Sequence, residues 1–135
     1  MAQKPVVAIL MGSQNDLPVV QNSFKILKDF GVKFEAHVMS AHRTPADACK
    51  FAKNAEANGF KVIICVAGMA AHLSGVVAAH TILPVIGLPM ASEPFGGMDA
   101  LLISHKHSFL LALATCCEAR AYAAFGYNWL IPRSI

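Results

Sequence analysis

Charge is scarce in this chain. Asp, Glu, Lys and Arg make up 14% of its 135 residues, and hydrophobic residues make up 56%; a charged share of about 25% is usual for a soluble domain. An outer surface with so few charges is expected to be covered by copies of the same chain, which points to a homo-oligomer. The formal net charge of +3 comes without a basic run and without aromatic residues interleaved among basic ones. That pattern argues against a nucleic-acid partner. No apolar stretch reaches the ~18 residues needed to span a membrane. The early run "PVVAILMG" has neither the basic leader nor the small-residue cleavage site of a signal peptide. A cytoplasmic chain with no membrane partner is therefore expected. Cys49, Cys65, Cys116 and Cys117 show no C-x-x-C spacing, so reduced and structurally buried thiols are expected, in preference to metal or redox roles.

What is present is a rhythm. At 135 residues the chain suits a single domain that can bury roughly two-thirds of its unfolded surface. "VVAILMG" (6–12), "KVIICVAG" (61–68) and "LPVIGLP" (83–89) are continuous apolar runs, as expected of strands covered on both faces of a parallel sheet. "KFEAHVM" (33–39) alternates more and is expected nearer an edge. Between the runs lie helix-length segments. Residues 17–30 place Val20, Phe24, Leu27 and Phe30 on one stripe, with Gly31 as the stop. Residues 46–58 place Ala48, Phe51, Ala52 and Ala55 on one face, with Gly59 as the stop, and residues 70–80 suggest a third, alanine-rich helix. Strand alternating with helix predicts an α/β fold with a doubly wound parallel sheet.

In such sheets ligands bind beyond the carboxyl ends of the strands, and three polar loops follow three of these strands. The first, "MGSQND" (11–16), offers Ser13, Asn15 and backbone N–H groups to an anion, with Asp16 read as the cap of the helix that has Pro18 at its second position. A plain capping loop explains it equally well. The second, "MSAHRTPAD" (39–47), combines the planar fork of Arg43 and the hydroxyl of Ser40, both suited to phosphate, with His42, an imidazole able to move protons near neutral pH. The plain alternative is that Thr44 caps a helix and Arg43 points at solvent. The third, "AGMAAHLSG" (67–75), is a chargeless surface that a flat ligand can approach closely. Here His72 is either a second polar handle or a satisfied helix histidine, and Met69 is read as packing. Together the loops point to a phosphosugar or nucleotide-like ligand with a histidine proton shuttle, and leave the reaction open.

"VAILMGSQND", "SAHRTP", "AGMAAHLSG" and "LPVIGLP…GGMDALL" resemble the class I phosphoribosylaminoimidazole carboxylase family, in its bacterial branch of N5-carboxyaminoimidazole ribonucleotide mutases. The likeness is seen from about Val6 to Leu102. It implies a three-layer αβα sandwich of flavodoxin-like order and a role in purine biosynthesis. The reaction implied moves a carboxylate from the exocyclic nitrogen of aminoimidazole ribonucleotide to ring carbon 4, with no cofactor and no metal. The resemblance assigns acid–base catalysis to His42, the 5′-phosphate to Ser40, Arg43 and Asn15, and the ribose hydroxyls to Asp16. Ser13, Ala41, Gly68, Ala70, His72 and Leu73 are then expected to line the base and carboxylate pocket. The partner implied is the small-molecule ribonucleotide, and the assembly implied is a homo-octamer if the tail permits it. Within the family, "MAAHLSG" sides with the mutases, not with the animal branch that uses CO2 directly. The rivals are that direct carboxylase and a non-catalytic or impaired ribonucleotide-binding module.

Three departures are local: Asn15 stands where the family usually has serine, Met69 where it has glycine, and Ser74 where it has proline. The tail departs more. After "MDALL" the family usually continues with a Val-Gln-Met-Pro loop, a further strand and an alanine-rich docking helix. This chain instead reads "ISHKHSFLLALATCCEARAYAAFGYNWLIPRSI" (103–135), which is either a divergent ending or the product of a reading-frame slip. The abrupt loss of likeness favours the slip, and the other two reading frames of the gene distinguish the two. Without the usual last strand the sheet is expected to have an open edge, with "SFLLALATCCEA" available to form a helix against the core. His105 and His107 are read as exposed loop histidines.

Overall fold

The computed structural model describes residues 5–106 and 111–113. Its elements alternate: β1 (Val7–Met11), α1 (Leu17–Asp29), β2 (Phe34–Val38), α2 (Pro45–Asn54), β3 (Val62–Gly68), α3 (Leu73–Ala78), β4 (Val85–Met90), α4 (Met98–Lys106) and β5 (Leu111–Leu113). The strands form one sheet in the order β2-β1-β3-β4-β5, and every pairing is parallel. This is the flavodoxin-like member of the doubly wound α/β folds. Among the described residues no helix is long and apolar enough to cross a membrane.

The continuous apolar runs are explained by burial on both faces. In β1, Ala8 and Leu10 join a cluster with Ala48, Ala52, Leu73 and Val77 from α2 and α3. Val7, Ile9 and Met11 point the other way, into a cluster with Val20, Leu17, Phe24 and Leu27 of α1. Two helical layers thus sandwich the sheet. Ile9 and Leu10 are fully buried, each stabilising the fold by roughly 1.5–3 kcal/mol. β2 is an outer strand, and three of its five residues are exposed, as its weaker apolar pattern requires.

The helix stops follow from backbone geometry. Gly31 has φ 67 and Gly59 has φ 99, a left-handed conformation that costs glycine little. Around Gly31 the Val32 N–H donates to Leu27 O at 2.8 Å and the Gly31 N–H to Lys28 O at 2.9 Å, the paired bonds of a Schellman ending. Gly59 and Phe60 repeat the pattern onto Glu56 and Ala55, although α2 itself ends at Asn54. The expected stripe of α1 holds for Val20, Phe24 and Leu27 but fails at Phe30, which lies just past the helix and is 79% exposed.

The end of the sheet differs from expectation. β5 pairs with β4 in the register Val85↔Leu111, Ile86↔Ala112 and Gly87↔Leu113. So β4 has a partner on both sides, and the backbone groups an open edge would leave unpaired are taken up along that stretch. His105 lies within α4, not in a loop. His107, Cys116 and Cys117 fall outside the described residues. Cys49 and Cys65 are free thiols, Cys65 fully buried, and burial pushes the Cys65 thiol well above its ordinary range.

Candidate active site

Among the described residues four loops leave the carboxyl ends of the strands, and each is folded by short-range hydrogen bonding before it meets its neighbours. After β1, the Gly12 N–H donates to Val66 O at 2.8 Å and so carries the sheet ladder one residue further. Ser13 then caps a 3₁₀ turn over Gln14–Asp16. Its Oγ accepts from the Asn15 N–H at 3.2 Å, while the Asp16 carboxylate reaches back to accept from the Ser13 N–H at 3.0 Å. This corrects the reading of Asp16 as the cap of α1. It occupies the cap position, but with helical backbone and no side-chain bond into the helix, because its oxygen is engaged by Ser13. Burial raises the Asp16 carboxyl above its usual range, and the Ser13 N–H offsets this in part.

The loop after β2 winds around Ser40. Its Oγ accepts from the N–H groups of His42 at 3.3 Å and Arg43 at 3.2 Å. A serine oxygen has two lone pairs and one proton, so with both lone pairs occupied the hydroxyl is left to donate, as an anion requires. Thr44 folds back on the same residue. It accepts from the Ser40 N–H at 2.9 Å and donates to Ser40 O at 3.3 Å, and it makes no capping bond to α2. Arg43 sends Nη2 across to Gly12 O at 3.0 Å, which ties the second loop to the first. The plain alternative of a capping Thr44 and an idle Arg43 is not what folds.

The loop after β3 turns sharply at Met69, whose φ is 53. The Ala71 N–H donates to Met69 O at 2.9 Å and the His72 N–H to Ala70 O at 2.7 Å. These tight turns take up residues 69–72, so α3 starts at Leu73, later than the apolar pattern suggested. Met69 does not pack: its side chain is 61% exposed. The side chain of Leu73 lies in the core, 2% exposed, so its backbone is what it can offer a ligand. His72 meets His42, with Nδ1 3.1 Å from His42 Nε2 and the rings edge to face at 84°.

The loop after β4, "ASEPFGG" (91–97), escaped the sequence reading. It includes a cis Glu93–Pro94 bond. Ser92 Oγ accepts the Met69 N–H at 3.1 Å, so this fourth loop buttresses the third. The signal was available, since the loop follows an apolar strand of the same sheet and carries a serine and paired glycines.

Arg43 therefore links the first two loops, the histidine pair links the second and third, and Ser92 links the third and fourth. Ala41, next to His42 in sequence, is partly buried and packs on the α2–α3 side of the core. The arrangement is an open platform. One surface cleft, of about 460 Å³, is lined by Lys53, Glu56, Ala79, His80, Thr81 and Ile82. Those last residues precede β4, at the opposite end of the sheet, and they share no side chain with the loops. Among the described residues no group of three or more His, Cys, Asp or Glu side chains is placed to hold a metal ion.

This geometry has known counterparts. A model of the AIR carboxylase family matches residues 6–126, past the Leu102 at which the motifs of the sequence fade. An N5-carboxyaminoimidazole ribonucleotide mutase of Pyrococcus horikoshii is 52% identical over 101 residues, which is 75% of this chain and 57% of that protein. The corresponding mutase of Saccharolobus solfataricus is 52% identical over 111 residues, 82% of this chain and 70% of that one. The crystal structure of Treponema denticola PurE superposes with a TM-score of 0.70 at 32% identity, covering 90% of this chain and 78% of that one. The chain thus spans a little over half the length of the Pyrococcus relative.

Proposed function

The chain belongs to the AIR carboxylase family, and from that premise we propose that it converts N5-carboxyaminoimidazole ribonucleotide to 4-carboxy-5-aminoimidazole ribonucleotide in purine biosynthesis. The observation that carries the reading is the imidazole pair. His42 Nε2 and His72 Nδ1 stand 3.1 Å apart, beside a loop whose Ser40 hydroxyl and Arg43 guanidinium are suited to a phosphate. The names of the mutases of Pyrococcus and Saccharolobus support it.

The proton count closes on a single histidine. His42 donates a proton as the bond between the exocyclic nitrogen and the carboxylate carbon breaks, which gives CO2 and aminoimidazole ribonucleotide. Ring carbon 4 then attacks the CO2, and the new carbon–carbon bond leaves carbon 4 with a surplus proton. His42 takes that proton back, so the reaction is an isomerisation with no net proton consumed. Recapture of CO2 held beside the ring is effectively intramolecular, and effective molarities of about 10⁵ M or more are reached in such cases.

In this reading Ser40, Arg43 and Asn15 hold the 5′-phosphate and Asp16 the ribose hydroxyls. Ser13, Ala41, Gly68, Ala70, His72 and the backbone of Leu73 line the base and carboxylate pocket. We extend the reading to a cytoplasmic homo-octamer. Exposed Phe30, Ile82 and Phe95, on a chain with only 14% charged residues, support burial between copies.

The test is turnover of N5-carboxyaminoimidazole ribonucleotide by the purified chain, beside aminoimidazole ribonucleotide with bicarbonate and beside His42→Asn. Turnover of the first substrate, lost in the variant, is expected. Turnover only with bicarbonate would replace the mutase reading by a direct carboxylase, and binding without any turnover would leave a ribonucleotide-binding module. Light scattering gives the subunit number.

A further inference from the structure

Met69 is the one non-glycine residue among those described with a positive φ, at 53. A residue with a Cβ resists that conformation because the Cβ crowds the following carbonyl. Something must hold it there, and the side chain does not, since it projects into solvent. The hold is on the backbone. The Met69 N–H donates to Ser92 Oγ at 3.1 Å, from a loop 23 residues further along the chain. Ser92 is brought close by the absence of a side chain at the end of β3. A Cβ on Gly68 would stand 3.3 Å from Ser92 Oγ and 3.4 Å from Met90 Cβ, tighter than ordinary contact.

From that grip the path to the histidines is short and fully bonded. Met69 O receives the Ala71 N–H at 2.9 Å, and Ala70 O receives the His72 N–H at 2.7 Å. His72 then presents Nδ1 to His42 Nε2 at 3.1 Å. We infer that Ser92 is a positioning residue for the imidazole pair: its hydroxyl oxygen fixes Met69 in the left-handed conformation and thereby sets where His72 meets His42. Ser92 itself touches neither imidazole in this chain of bonds. The consequence for catalysis rests on the mutase reading above; the consequence for geometry does not.

The experiment compares Ser92→Ala, Met69→Gly and the double variant. Ser92→Ala is expected to lower kcat about 10- to 100-fold, the scale of a small misplacement at a reacting centre. KM for the ribonucleotide is expected to change less than about twofold, the first two loops and their Arg43 link being untouched. Glycine adopts positive φ without help, so Met69→Gly alone is expected near the parent kcat. The double variant is expected to recover to the level of Met69→Gly. A merely structural defect would not be rescued by removing a second side chain. Unchanged kcat in Ser92→Ala, a double variant as slow as Ser92→Ala, or a loss expressed in KM would each overturn the inference.

Crystal structures of the same variants separate this inference from the mutase reading. The separation of His42 Nε2 and His72 Nδ1 is expected to exceed ~3.5 Å, the limit of a hydrogen bond, in Ser92→Ala and to close again in the double variant. If the parent chain turns over no ribonucleotide, these distances alone decide, and an unchanged pair in Ser92→Ala overturns the inference. Should Ser92→Ala fail to fold, the double variant carries the test, since it must fold with the pair closed.

Discussion

His42 Nε2 and His72 Nδ1 lie 3.1 Å apart although 30 positions separate them in the chain. One hangs from the loop after β2 and the other opens α3. A neutral imidazole donates from one nitrogen and accepts at the other, so the contact holds one proton between two nitrogens and ties their tautomers together. In the proposed reaction, where His42 gives a proton and later reclaims it, such a neighbour would hold the ring in one orientation.

His42→Asn is expected to reduce turnover by about 10²–10⁴-fold, the usual contribution of a positioned acid–base group, while ribonucleotide affinity changes only a few-fold. Single-turnover kinetics beside a binding titration check it. A loss of affinity as large as the loss of rate would move His42 from chemistry to binding.

In the proposed function Arg43 acts on binding. Its Nη2 bonds Gly12 O, and the same fork is assigned to the phosphate. Hydrogen bonds to charged groups contribute about 1.5–3 kcal/mol, so Arg43→Ala is expected to weaken ribonucleotide binding by about 10- to 150-fold. Arg43→Lys keeps the charge without the planar fork and is expected to recover only part of it. Calorimetric titration decides, and full recovery by lysine would show that charge alone matters.

Asp16 sets a pH dependence of stability. Burial raises its carboxyl above an unfolded value of about 3.9, so the folded chain binds this proton more tightly than the unfolded one. Its contribution to stability is full below the unfolded value and is lost as pH rises through the raised, folded one. Asp16→Asn keeps an acceptor for the Ser13 N–H without the buried charge. The variant is therefore expected to be the more stable at pH 7, with the advantage gone near pH 3, as read from urea midpoints. A wild-type chain that gains on the variant as pH rises would reverse the sign.

Gly97 and Gly31 both have positive φ, 89 and 67, but their surroundings differ. A Cβ on Gly97 would come within 2.9 Å of Ala91 Cα and 3.0 Å of Met90 O, whereas one on Gly31 meets nothing within 4 Å. Gly31→Ala is expected to cost about 1–2 kcal/mol from backbone conformation alone. Gly97→Ala is expected to cost more, because the fourth loop must also move off the end of β4. Equal losses in denaturant would show that the loop gives way freely.

Much of the fold was legible because burial on both faces of β1, β3 and β4 writes itself as unbroken apolar runs, and because Gly31 and Gly59 mark helix endings by a conformation few other residues accept. The motif residues of the first three loops were legible too, since a parallel sheet sends its strand ends to one side. What was not legible depended on hydrogen bonds between loops. Nothing in "MGSQND" says that Asp16 turns back to Ser13 instead of capping α1. Nothing in "AGMAAHLSG" says that Met69 is bent to positive φ by a serine from another loop. Thr44 has the composition of a cap and spends its hydroxyl on Ser40. β5 was hard to read because three residues are too short to carry a clear strand pattern.

The register of the central strands has a consequence for biosynthesis. β1 pairs on one side with β2, and on the other Val7 pairs with Val62. A nascent chain growing at ~5–20 residues per second therefore waits about 3–11 s between making β1 and making its second neighbour. Through that interval the N–H and C=O groups along one edge of β1 have no β3 to pair with, and long-range parallel pairing of this kind closes slowly. Any pause of the ribosome between Val38 and Val62 prolongs the period in which Leu10, whose cluster is completed by β3 and α3, is open to chaperones or to other unfinished chains.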